Sequence, residues 1–289
     1  MRLPVLLISF SLLLQISCTK EEIQEILNES SNTSGTDSAL TQSELISGLK
    51  TALTVGTDSS TNILSKLNGY YGNPLVKIPL PPEAESIRTS INNLSNSGLI
   101  ALFSGVLDDE FENVVLAINR SAESAAAEAA PIFKNAITSL SISDGWQILR
   151  GVNPAAKKEL KSFDSLAATN YFISVTRTPL TNLYAPKIDN ALSGDLGLGF
   201  SANDAWNTLR TTYNNIYNTA TTMGLSGALS SAGLSAMQTT TIGEFATAKA
   251  LDGLFLKVGE QERLIRRNPF KWVGTLVEKI LSKVFGYQY

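Results

Sequence analysis

The run DDEFENVVLAINRSAESAAAEAAPIFKNAITSL, residues 108–140, decides the fold class. Phe111, Val114, Val115, Ile118, Ala122, Ala125, Ala129, Ile132, Phe133, Ala136 and Leu140 recur at three- and four-residue spacing, which lines one face of a long helix. The alanine-rich centre lets a second helix approach closely. Pro131 falls inside the pattern and predicts a kink or a break there. Asp108, Asp109, Glu110 and Glu112 cluster at the start. Acids there offset the positive end of the helix dipole, and their spacing is not that of a calcium loop.

The same period continues on both sides. Thr41-Gln42-Ser43-Glu44 is a capping-box pattern, followed by Leu45, Ile46, Leu49, Ala52 and Leu53 at helical spacing. Ile63, Leu64 and Leu67 continue or restart that helix. Pro81-Pro82-Glu83-Ala84-Glu85 starts another, with proline and acids where a first turn accepts them. Ser143-Asp144 opens a short helix ending before Gly151, and residues 152–166 read as a polar excursion. Helices are expected over 167–192, 202–222 and 241–267. A Gly/Ser-rich interval separates the last two, and Asn268-Pro269 precedes a final helix. That last helix carries Val273, Leu276, Val277, Ile280, Leu281, Val284 and Phe285 as an apolar stripe, with Trp272, Lys271, Lys279 and Lys283 beside it. It either docks on the bundle or lies at a membrane surface. No run of alternating strands is visible, so the expectation is an all-α, single-domain multi-helix bundle over residues 41–289.

One stretch resists the helical reading. Residues 68–82, NGYYGNPLVKIPLPP, hold four prolines and two tyrosines. Pro79, Pro81 and Pro82 forbid helix and push their predecessors to extended backbone. Val76, Ile78 and Leu80 alternate with Lys77 and Pro79, which gives the segment one apolar face. It reads as a strap laid over the helices. The other reading is a binding loop, with Tyr70, Tyr71, Asn73 and Lys77 facing a ligand or partner.

Composition removes several chemistries. The chain has 289 residues, 43% apolar and 17% charged, with a net charge of −3. That balance provides no basic field for nucleic acid. Histidine is absent, which excludes catalytic triads built on an imidazole and histidine-based metal sites. A single cysteine excludes an intrachain disulfide. No nucleotide, cofactor or metal motif is present.

The sole cysteine, Cys18, ends the segment MRLPVLLISFSLLLQISC. Arg2 precedes an apolar run from Leu3 to Leu14, the length of a signal-peptide core and short for a bilayer span. Ser17-Cys18 resembles a bacterial lipobox, although Gln15 stands where leucine is usual. Residues 1–17 are therefore expected to be a lipoprotein signal and Cys18 the lipidated residue that anchors the chain. Lipidation would place it in the cell envelope, at the outer membrane on its periplasmic face or at the cell surface. Residues 18–40, rich in Ser, Thr, Asn and Glu, read as a flexible tether.

Two groups of charged residues are candidates for chemistry. Asn119, Arg120, Glu123 and Glu128 flank the stripe of the long helix. They form either an ion-pair network locking helices or a polar pocket in which Glu123 or Glu128 serves as a general base for hydrolysis of an envelope polymer. Lys249, Asp252, Lys257 and Glu260 alternate in sign and read as a solvated salt-bridged face. Asp252, beside Leu251, Leu254 and Phe255, is expected to be partly buried and paired.

GYYGNPLVKIPLP, AINRSAESAAAEAAPIF, TNYF, KALDGLF and RRNP…KVFG occur in that order. Together they resemble the family of bacterial envelope proteins called domain of unknown function 4197, over roughly residues 44–286. The resemblance implies export and, for many members, a lipid anchor. It implies no activity, cofactor or catalytic residue. Asn170 stands where the family resembles TDYF, and Gly243-Glu244 carries one acid where two often precede KALDGLF. Three functions are compatible with the sequence: a non-catalytic binding or scaffolding module for an envelope protein, a carboxylate-based hydrolase, and a protein that binds an apolar ligand such as lipid.

Overall fold

A computed structural model describes residues 41–94, 100–103, 105–143, 145–154 and 163–267. The lipobox with Cys18, the tether and the final helix expected after Pro269 lie outside the described residues, as does most of the polar excursion. Among the described residues all regular structure is helical. In chain order the helices are α1 (Gln42–Leu64), α2 (Pro82–Asn93), α3 (Ile100–Phe103), α4 (Asp108–Ser139), α5 (Gly145–Leu149), α6 (Ala167–Ser193), α7 (Ala202–Thr222), α8 (Ser226–Ser231) and α9 (Gly243–Arg267).

Four long helices close a ring in the order α1, α4, α6, α9, each packing on two neighbours. Contacts far apart along the helices show that neighbours run antiparallel. Lys50 of α1 donates to the Thr138 carbonyl of α4. Ser121 of α4 donates to the Ala191 carbonyl of α6, while Phe133 stacks with Phe172. Phe172 meets Phe255 of α9, and Ala168 meets Glu262. The result is an up-down-up-down bundle with α7 added on the outside of α4. Phe133, Phe172 and Phe255, with centroids 5.5–6.1 Å apart, fill its centre. Trp206, Leu209 and Tyr213 bury α7.

The capping box of α1 forms as its sequence predicts, with Thr41 and Glu44 exchanging hydrogen bonds. α7 begins with the equivalent Ser201–Asp204 pair. Pro131 does not split α4, which runs unbroken to Ser139. Pro179 and Pro186 likewise lie inside α6. All three prolines are exposed, as are the residues four positions before them, Ala127, Val175 and Asn182. The carbonyls deprived of a helical partner are therefore open to water, which lessens the disruption. Ile63 and Leu67 are exposed at the end of α1 and contribute nothing to its buried face. Lys257 corrects the reading of α9 as a solvated charged face: it is buried, its stem covered and its amine 2.8 Å from Glu260.

The proline-rich segment is a strap. Val76, Ile78 and Leu80 are buried, whereas Leu75, Lys77 and Pro79 are exposed. A second segment without regular structure, residues 234–242, runs along α7, its carbonyls at Ser235, Met237 and Thr239 accepting from Tyr213, Asn214 and Trp206.

Candidate functional site

The strap is fastened by side chains of α4 and by the backbone of α9. After α1 ends, Asn68 takes a left-handed conformation at φ 67°. A Cβ on Gly69 would sit 2.4 Å from the Leu64 carbonyl oxygen, so only glycine fits there. The following amides, of Tyr70 and Tyr71, both donate to Glu123 Oε1 at 3.1 and 2.9 Å. Glu123 Oε2 accepts from Arg120, whose other nitrogen donates to Asn68 Oδ1. Asn119, fully buried, completes the fastening: its Nδ2 donates to the Ile78 carbonyl and its Oδ1 accepts from the Ile78 amide, both at 2.8 Å.

Tyr70 plunges into the bundle and donates its hydroxyl to the Ala250 carbonyl at 2.8 Å. Burial pushes its phenol well above the ordinary tyrosine range, and nearby Tyr184 and Glu123 add to that. A Cβ on Gly253 would lie 2.7 Å from the Tyr70 ring, so α9 needs glycine there. Tyr71 stays half-buried, with Lys77 Nζ 4.1 Å and the Arg120 guanidinium 5.6 Å from its ring centroid. Asn73 accepts from the Leu75 amide and shapes the turn.

The residues nominated from sequence thus divide. Tyr70, Asn119, Arg120 and Glu123 converge on one buried lock. Glu128 does not join them: five residues on, it is turned about 140° round the helix. It is exposed and pairs with Lys187 at 2.6 Å. Asp252 is exposed rather than partly buried, and it is held by Arg177. Among the described residues no group of three potential ligands could hold a metal ion. Asp108 accepts from the Gly105 amide in front of α4, and Glu112 lies 3.6 Å from Arg88.

Lys77 and Asp252 both line a groove of about 180 Å³ between the strap and α9, together with Leu75, Val76, Ile78, Pro79, Lys249, Gly253 and Leu256. It combines exposed apolar and charged side chains, and it is the strongest candidate for contact with another molecule.

Sequence reading missed three further fasteners. Glu262 accepts from the amides of Ala168 and Thr169 at the start of α6 and from the Thr169 hydroxyl, and it is paired with Arg266. Arg266 also donates to the carbonyls of Ile148 and Leu149. The four-residue spacing of Glu262 and Arg266 was the available signal. Asn214 grips Met237 through amide and carbonyl as Asn119 grips Ile78. Glu83 accepts from the amides of Gln238 and Thr239. Asn170, where the resemblance leads one to expect an acid, donates to Asp164 at 2.8 Å. A carboxylate there would face another.

One family model, described as protein of unknown function (DUF4197), matches residues 39–286. No curated protein and no solved structure matches the chain.

Proposed function

The chain belongs to the DUF4197 family, whose function is unknown, and from that premise we propose a non-catalytic binding or scaffolding module, held at the cell envelope by a lipid on Cys18. The observation that carries the reading is the condition of Glu123. One oxygen takes two backbone amides and the other takes a guanidinium. A general base needs an oxygen within reach of a substrate proton, and here both are committed to holding the strap. Glu128, the other nominated carboxylate, faces solvent beside Lys187. What the lock leaves outward is the strap's own surface and its groove with α9.

The test is photocrosslinking in cells that make the full chain. A photoreactive residue at Leu75, in the groove, should yield one discrete protein adduct. The same residue at Leu183, exposed on α6, should not yield it. No adduct at Leu75, or the same set at both positions, would count against the reading. Release of fragments from envelope polymer by the purified chain, abolished by Glu123→Gln without loss of folding, would replace it with the hydrolase.

A further inference from the structure

The groove carries more positive than negative charge beside apolar side chains. Lys77 contacts the Tyr71 ring and has no carboxylate partner among the described residues. Lys249 lies 3.9 Å from Asp252, the outer limit of an ion pair, and Asp252 is already bonded to Arg177. Leu75 and Leu256 are 67% and 40% exposed on opposite walls. The strap wall of the groove carries two carbonyls without a described donor, although the Lys77 amide is taken by the Asn73 carbonyl and Pro79 has no amide. Ile78 turns both its amide and its carbonyl to Asn119. Neighbours in an extended chain turn the other way. The carbonyls of Lys77 and Pro79 therefore face the opposite edge, and no described group donates to either.

Resting on the binding-module reading above, we propose that this groove takes a short acidic segment of a partner protein in extended form. A carboxylate of the segment lies between Lys77 and Lys249, a charge-assisted contact. An apolar side chain of the segment rests on Leu75 and Leu256. Its backbone amides donate to the free carbonyls of the strap, as in strand addition. Size favours such a segment over a lipid or other small molecule. Sites that engulf small molecules run to roughly 300–1,000 Å³, and about 180 Å³ suits one anchoring side chain.

Fluorescence anisotropy with two labelled peptides tests the proposal on the full chain in neutral detergent. One peptide alternates leucine with aspartate and the other leucine with lysine. The aspartate peptide should bind saturably, and more weakly as salt rises. Lys77→Glu combined with Lys249→Glu should weaken it at least tenfold, whereas Lys187→Glu, on a different helix, should not. All three lysines are at least partly exposed, and unchanged thermal melting would show that the variants fold. Failure of the aspartate peptide to bind, equal binding of both peptides, or indifference to the double charge reversal would overturn the proposal. So would binding to vesicles containing anionic lipid that the double variant loses, since that would assign the groove to a membrane surface. If the peptide fails while the Leu75 adduct persists, the acidic-segment chemistry is wrong and the binding module stands. If the adduct is missing as well, the module itself falls.

Discussion

Two buried tyrosines show how far one hydrogen bond separates similar residues. Tyr70 and Tyr184 are both wholly enclosed, and burial pushes both phenols above the ordinary range. Tyr70 donates to the Ala250 carbonyl, whereas no group pairs with the Tyr184 hydroxyl among the described residues. A net hydrogen bond contributes about 1 kcal/mol, and leaving its buried partner unsatisfied costs about 1–3 kcal/mol. Tyr70→Phe should therefore destabilise the chain by about 1–3 kcal/mol in urea unfolding. Tyr184→Phe should be neutral or stabilising, because it removes a desolvated hydroxyl that gains nothing. Equal losses in the two variants would contradict this account. Gly253 makes a related case through space. Gly253→Ala puts a methyl 2.7 Å from the Tyr70 ring and 3.3 Å from Val76, both buried. Overpacking of that kind costs about 1–3 kcal/mol, although alanine is otherwise the better helix former. A melting temperature raised by Gly253→Ala would show that the strap has room to give.

At the scale of elements, the molecule repeats one device: a helix-borne carboxylate or amide that satisfies the backbone of a segment without regular partners. Glu123 and Asn119 hold the first strap, Glu83 and Asn214 the second, and Glu262 the start of α6. The device has a pH signature at Glu83. Partial burial pushes that carboxyl up, but the amide donors of Gln238 and Thr239 outweigh it and hold it below the ordinary glutamate range. A carboxyl depressed in the folded state contributes stability that is complete above its unfolded value. That contribution is lost as pH falls through the folded one. Glu83→Gln should be less stable than the parent at about pH 7, and the gap should shrink by about pH 3. A gap that widens on acidification would reverse the assignment. The device also explains what the sequence could convey. The helices were legible because capping boxes and apolar periods are local: α7 runs over 202–222 as expected, and α1 starts at its box. The first strap was legible because proline and alternation are local too. Its fasteners were legible only as charged flanks of a stripe. A glutamate reads the same whether water or a backbone amide lies at its end. Glu262 meets its partners 93 and 94 residues away, so nothing near it in sequence announces them.

At the scale of the whole molecule, the segments of the family resemblance prove to be parts of two fastenings. GYYGNPLVKIP supplies the strap, AINRSAE supplies Asn119, Arg120 and Glu123, and KALDGLF supplies Ala250 and Gly253, against which Tyr70 packs. TNYF and the Arg266 end of α9 meet through Glu262. In this chain those segments hold the architecture, and a function has to be sought on what the architecture leaves outward. No described helix is long and apolar enough to cross a membrane. On the reading given above, attachment runs through Cys18, since one acyl chain holds a protein only marginally and two or more hold it firmly. On that same reading, a tether of about twenty residues, as expected from the composition of residues 18–40, would give a reach of roughly 25 Å from the anchor. That reach would leave the groove of the first strap free to meet a neighbour in the same envelope. Cys18→Ala should abolish incorporation of labelled fatty acid and move the chain from the membrane to the soluble fraction, with the melting transition of the bundle unchanged. A variant that stays with membranes after a high-salt wash would place the attachment elsewhere in the chain. Labelled fatty acid persisting on the Cys18→Ala chain would show that Cys18 is not the lipidated residue.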